Sequence, residues 1–383
     1  MRAVAACAAT VLVAACAAQT GERANGPETF ARDLHEEVTH IDVTLTDRNG
    51  KTETHAMPIT IYRPDGPGPF PLVVFNHGRA PTEKRATQGR AHPEAFARYF
   101  VDRGFVVLVP TRVGYWETYD VFDPEDTNNC FDLRPEAMAR ATSDEVLATV
   151  AYARTLAYVD TRRWIVAGVS VGGLATIATV GRRPEGLVAG LNFSGGAGGN
   201  PVNRPGRSCG VDRIAALYAR SAHDGDAPIE WFYWANDQYW GESAPRAWFA
   251  AWRKAGGRGE FNAFPAKGED GHAGVGIDMD HWVPVVDRFV ADLGFPKPAV
   301  ATRPPASGYA AVGDVERVPV RGVAAREAYR KFLAATAPRA FAIGDDGGFG
   351  YAIGDYVIAR ALGFCRRGGQ HCRLYAVDDE VVW

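Results

Sequence analysis

Short unbroken apolar runs recur along this chain, Leu72-Val73-Val74-Phe75, Phe105 to Val109 and Trp164 to Gly168, and Leu187 to Phe193, Ile229 to Ala235 and Glu260 to Phe264 supply three further strand-like segments. A strand with one wet face alternates polar and apolar residues, whereas an unbroken run is apolar on both faces and needs cover on both. Helical stretches lie between these runs: Pro93 to Arg103 (closed by Gly104), Arg134 to Tyr158, one opening near Gly172, Val211 to Ala219, Ala244 to Ala255, and Trp282 to Leu293 (closed by Gly294). Strands alternating with helices predict an α/β class, a doubly wound and mostly parallel sheet. Ahead of them, Ile41 to Thr46 and Ala56 to Tyr62 alternate around Asn49-Gly50, which predicts an antiparallel hairpin at the edge of that sheet.

The chain has 383 residues, 46% of them apolar, enough for one large domain and a smaller appendage. Four segments follow: a leader over 1–20, the α/β domain over 30–295, a Pro, Ala and Gly-rich linker over 296–320, and a small α+β module over 321–383. The module reads as a helical start, a glycine-studded stretch Gly344 to Gly350, a helix Ala359 to Cys365 and a strand Arg373 to Val377. Its glycines lack the G-x-G-x-x-G spacing between strand and helix, which argues against nucleotide binding. A net charge of −3 supplies no basic field for nucleic acid.

Met1-Arg2 and the apolar run Ala3 to Ala18 have the form of an export segment, too short to span a membrane as a mature helix. Within it, Leu12-Val13-Ala14-Ala15-Cys16 resembles the bacterial lipobox. That resemblance implies a lipid on Cys16, attachment to the membrane by that anchor alone, and a periplasmic or outer-membrane location; ordinary cleavage after a nearby Ala is the alternative. In an oxidising compartment Cys130, Cys209, Cys365 and Cys372 permit three pairings. Proximity in sequence favours Cys365 with Cys372 and leaves Cys130 with Cys209; four free thiols are the alternative. Cys365, His371 and Cys372 lack a fourth convergent ligand, so no metal is expected, and no cofactor either.

The chemistry centres on Gly168-Val169-Ser170-Val171-Gly172, where a buried strand passes directly into a helix. A serine on so tight a turn projects its oxygen, and the helix start turns the Val171 N–H toward it as an oxyanion donor. A second donor is expected near Gly78 and Arg79, in the loop after Leu72 to Phe75. A carboxylate should follow a later strand: Asp237 fits, Glu242 is weaker, and Asp226 lies at the wrong end of its strand. A histidine should come later still, and His272 in Glu269 to Gly274 is favoured over His281, which opens the last helix. His77 precedes the serine and is read as structuring its loop. Ser170, Asp237 and His272 thus form a nucleophile, an orienting acid and a base.

Phe75-Asn76-His77-Gly78, the Gly168 to Gly173 turn, Trp234-Ala235-Asn236-Asp237 and Asp270-Gly271-His272 together resemble the dienelactone hydrolase branch of the α/β-hydrolase superfamily, over roughly residues 40 to 295. The resemblance implies an α/β-hydrolase fold and hydrolysis through an acyl-enzyme. The named dienelactone hydrolase uses a cysteine nucleophile; serine here points to a broader carboxylic-ester or lactone hydrolase acting on a small molecule. An amide or peptide hydrolase with the same triad is one alternative. Another is a non-catalytic envelope protein whose C-terminal module binds a wall or surface partner. Tyr115, Trp116, Tyr239 and Trp240 are candidate pocket walls. Arg79 and Arg112 are each candidates for a substrate carboxylate or for a structural ion pair, the latter favoured.

Overall fold

The computed structural model describes residues 30–295, 303–365 and 372–383. The expected leader with Cys16, the start of the expected linker, and His371 lie outside the described residues. Ala31–Trp383 form one compact unit.

Strands β1 (Glu37–Thr46) and β2 (Thr52–Tyr62) make the expected hairpin, with Thr46 opposite Thr52. Then come β3 (Phe70–Asn76), α1 (Thr82–Arg85), α2 (Glu94–Val101), β4 (Val106–Pro110), α3 (Pro135–Ala153), β5 (Val159–Val169) and α4 (Val171–Gly181). They are followed by β6 (Leu187–Phe193), α5 (Val211–Asp224), β7 (Ile229–Trp234), α6 (Ser243–Lys254), β8 (Phe261–Phe264), α7 (Gly274–Ile277) and α8 (Met279–Asp292). The sheet order is β1-β2-β4-β3-β5-β6-β7-β8, with β1 and β2 antiparallel and the six strands from β4 to β8 parallel.

The unbroken apolar runs are divided between two cores because successive side chains of a strand point to opposite faces. Val73, Phe75, Ile165, Ala167, Leu191 and Phe193 pack on one side with Phe96 and Phe100 of α2 and Trp282 and Val286 of α8. Leu72, Val74, Trp164, Val166, Trp231 and Tyr233 pack on the other with residues of α3, α4, α5 and α6. A doubly wound α/β sheet is what this chain forms.

The chain end adds α9 (Val323–Ala334), β9 (Arg339–Gly344), β10 (Phe349–Ile353), α10 (Val357–Cys365), β11 (Cys372–Val377) and β12 (Glu380–Val381). Its antiparallel sheet has the order β10-β9-β11-β12. One face carries Phe341, Ile343 and Tyr375 against Tyr329 and Phe332 of α9. The other carries Ala340, Ala342 and Leu374 into the same core as α10, α2 and α8. Val318 and Val320 are buried on the α9 face, and the Ser307 N–H donates to the Val381 carbonyl at 2.8 Å. The described part of the expected linker is therefore partly packed.

Two local expectations are corrected. The expected helix Arg134 to Tyr158 stops at Ala153, and β5 begins at Val159, because Val159 and Asp160 pair with Phe70 and Pro71 of β3 despite the polar sequence Asp160 to Arg163. The glycine-studded stretch holds the turn of a hairpin, with β9 and β10 on either side. Both sulfur pairs are bonded, Cys130 to Cys209 and Cys365 to Cys372, with Cα separations of 5.4 and 6.1 Å.

Candidate active site

The turn from β5 into α4 is built around a strained serine. Ser170 has φ 58° and ψ −122°, a region that side chains with a Cβ rarely adopt, and it caps α4 directly. Close packing holds it there. A Cβ on Gly172 would lie 2.0 Å from the Asn76 carbonyl oxygen, and one on Gly168 would lie 2.2 Å from that of Gly172. Only glycine at these two positions lets the helix start sit against both strand ends. The Ser170 carbonyl accepts from the N–H groups of Gly173, Leu174 and Gly196, at 2.9 to 3.1 Å.

Gly78 lies beside this serine: a Cβ there would be 3.2 Å from Ser170 Cβ and 3.8 Å from its Oγ. Among the described residues, the N–H groups of Val171, Gly78 and Arg79 make no hydrogen bond. Unspent donors are therefore found on the helix start and on the loop after β3.

Asp237 follows β7 and is buried. Its Oδ1 accepts from the N–H groups of Tyr239 and Trp240 at 2.8 and 3.0 Å, and its Oδ2 from His272 Nδ1 at 3.0 Å. The His272 ring stacks on Tyr239 with centroids 4.0 Å apart and meets Trp240 edge-on at 5.3 Å. Asp237 uses Nδ1, so Nε2 is the nitrogen left for proton transfer. Among the described residues neither Nε2 nor Ser170 Oγ makes a hydrogen bond; such catalytic contacts often tighten only when substrate is bound.

The loop carrying His272 is tied to the turn carrying Asp237. Asn236 Oδ1 accepts from the Lys267 N–H at 2.9 Å, and its Nδ2 donates to the Gly268 carbonyl at 3.1 Å. Asp270 Oδ1 accepts from the N–H groups of Gln238 and His272, both at 2.9 Å. Asp278, fully buried, accepts from Trp234 Nε1 at 2.6 Å, Lys267 Nζ at 2.7 Å and His281 Nδ1 at 2.8 Å. Those donors hold its carboxyl below the usual aspartate range against the opposing effect of burial. Sequence reasoning missed Asn236, Asp270 and Asp278 as clamps, although the first two adjoin the candidate residues and all three are Asx residues at loop positions.

The other candidates fall as follows. His281 is spent on Asp278 within the first turn of α8. Glu242 is exposed at the start of α6, and Asp226 is exposed ahead of β7. Arg79 makes two hydrogen bonds to Asp123, at 2.6 and 3.1 Å, and one to Glu125 at 3.0 Å. Arg112, fully buried, pairs with Glu125 at 2.5 Å. Both arginines are thus in ion pairs. Tyr115, expected as a pocket wall, is fully buried with its hydroxyl donating to Glu125 at 2.8 Å; it braces this cluster instead. Trp240 is nearly as buried, its Nε1 donating to the Ser194 carbonyl at 2.7 Å. Tyr239 and Trp116 keep partial exposure. Among the described residues, one grouping brings metal-ligand atoms within 4.8 Å of one another, Glu53, His55 and Asp120; it lies on β2 and the loop after β4, where Lys51 already pairs with Glu53.

The strand order, the strained serine between β5 and α4, and the acid and histidine beyond β7 and β8 define an α/β-hydrolase fold. No family model matches this sequence, and no curated protein does. Among solved structures it is similar to an esterase, Est2, of Thermogutta terrifontis (16% identity, TM-score 0.46), covering 68% of this chain and 97% of that one. It is also similar to a Klebsiella pneumoniae protein assigned as a dienelactone hydrolase (16% identity, TM-score 0.43; 68% and 98% covered). Similarity to an acylaminoacyl peptidase of Pyrococcus horikoshii (14% identity, TM-score 0.45) covers 70% of this chain but 43% of that one.

Proposed function

We propose that this chain is a serine hydrolase that cleaves a small carboxylic ester or lactone through an acyl-enzyme on Ser170. The observation that carries the reading is the pairing of a serine in a forced left-handed turn with a buried Asp237 bonded to a partly exposed His272 at the carboxyl end of the same sheet. His272 Nε2 takes the Ser170 proton as Oγ attacks the carbonyl carbon. Asp237 fixes the ring through Nδ1 and stabilises the imidazolium that forms. The N–H groups of Val171 and Arg79 receive the oxyanion. His272 then hands the proton to the departing alcohol, and water repeats the sequence on the acyl-enzyme to release the acid and restore Ser170.

Tyr239, stacked on His272 and partly exposed, belongs to the wall that an acyl or alcohol group would meet. We further propose that the protein works in the cell envelope, held by a lipid on Cys16; the two disulfides support an oxidising compartment. Among the described residues no helix is long and apolar enough to cross a membrane.

The test is labelling by a fluorophosphonate probe together with turnover of p-nitrophenyl esters of rising chain length, a lactone and an amide. Wild type should label once and turn over an ester or the lactone. S170A should lose the label and about 10⁴-fold or more of the turnover. Undiminished labelling of S170A would remove Ser170 from the mechanism, and faster amide than ester turnover would shift the substrate class to amides or peptides.

A further inference from the structure

A peptide group is planar and trans, so its carbonyl and its N–H point in opposite directions. Whatever grips the Gly78 carbonyl therefore aims the Arg79 N–H. That carbonyl accepts from His77 Nδ1 at 2.7 Å and from Arg112 Nη2 at 3.4 Å, while Arg112 Nη1 donates to the neighbouring His77 carbonyl at 2.5 Å. We propose that Arg112, backed by Glu125, is a positioning residue for the oxyanion site: with His77 it locks the Gly78–Arg79 peptide so that the Arg79 N–H stays turned toward Ser170. The inference rests on the serine hydrolase reading above and names a part of that machinery which touches neither substrate nor reacting atoms.

Three observations converge on it. The Arg112 backbone N–H donates to His77 Nε2 at 3.1 Å, and a backbone N–H can only donate, so the proton of the neutral ring is on Nδ1, where it holds the Gly78 carbonyl. Burial and the adjacent Arg112 guanidinium push the His77 pKa down to about 3, which keeps the ring neutral so that Nε2 can accept. The guanidinium is itself fixed: Nε donates to Glu125 Oε1 at 2.5 Å, and Glu125 is further held by Arg79 at 3.0 Å and by the Tyr115 hydroxyl at 2.8 Å. A lysine reaching the same place has no planar fork and cannot grip Glu125 and two carbonyls at once.

The experiment uses the full chain with p-nitrophenyl acetate as substrate and an aryl trifluoromethyl ketone as a mimic of the tetrahedral oxyanion. R112K should lower kcat about 30- to 300-fold with KM within threefold, and should weaken trifluoromethyl ketone inhibition by the same factor, the loss expected when an oxyanion donor is mis-aimed. A merely structural role would lower the Tm and leave the inhibition of the folded fraction unchanged, and that result would overturn the proposal. E125Q and H77Q should repeat the kcat and inhibition losses to a smaller degree. If R112K does not fold, these two decide, and unchanged kcat in both overturns it. Wild type labelled at Ser170 with an indifferent R112K sinks only the positioning role, whereas wild type unlabelled at Ser170 sinks the hydrolase reading beneath it.

Discussion

At the scale of single residues, the elbow depends on atoms that are not there. Adding one methyl group at Gly172 places carbon 2.0 Å from a backbone oxygen that has no room to yield. G172A should therefore cost about 3 kcal/mol in urea unfolding and should abolish fluorophosphonate labelling even where the variant remains folded. Burial sets a second expectation. Glu145, fully buried, accepts from the Val113 N–H at Oε1 at 2.7 Å while Oε2 makes no hydrogen bond and lies 4.0 Å from Arg112 Nε, and burial and the neighbouring Glu125 raise its carboxyl well above the usual glutamate range. A folded-state pKa raised above the unfolded one means that stability is lost as pH rises past about 4.5, by about 1.4 kcal/mol per pH unit at most. E145Q does not titrate, so its stability relative to wild type should grow between pH 4.5 and pH 8, read from urea midpoints at the two pH values; a constant difference would contradict a buried neutral acid. His77 acts in the opposite sense, its depressed pKa withdrawing stability as pH falls from about 6.5 toward 3. Ser170, Asp237 and His272 could be nominated from sequence because local turn chemistry and chain order mark them. Arg79 and Arg112 could be marked as ion-pair candidates, but their partners Glu125 and Glu145 could not, since they sit in a separate loop and a helix with no shared spacing.

Among the elements, legibility followed burial. The core halves of β3, β4, β6 and β7 announce themselves as apolar runs because helices cover them on both faces. The first half of β5 does not, since Asp160 to Arg163 reach solvent while their backbone still extends the sheet. β9 and β10 were hidden by the glycines of the turn that joins them. Disulfides act at this scale too. Cys130–Cys209 closes a separation of 79 residues and ties the loop after β4 to the loop after β6, whereas Cys365–Cys372 closes one of 7. On chain entropy alone, C130S/C209S should cost about 4 kcal/mol and C365S/C372S about 2, measured by chemical denaturation. Equal losses would mean that the longer link constrains little in the unfolded chain.

Over the whole molecule, the C-terminal sheet and the α/β sheet share a core through α10. Tyr356 packs on Tyr99 of α2 with ring centroids 5.0 Å apart, and its hydroxyl accepts from Arg103 at 2.6 Å. Arg360 donates to Asp280 of α8 at 2.6 Å. A chain ending at Phe295 should therefore aggregate or bind a hydrophobic dye, with a Tm well below that of the full protein, although every candidate catalytic residue is still present. Full-length stability in that truncation would show the module to be dispensable. The same contact bears on how the protein is made. Synthesis runs from the amino end, so α2 leaves the ribosome some 250 residues ahead of the helix that covers it. Throughout that interval its outer face is open to water and to other nascent chains. A holding chaperone is thus most needed late in translation, after the hydrolase sequence has been completed and before its lining has arrived.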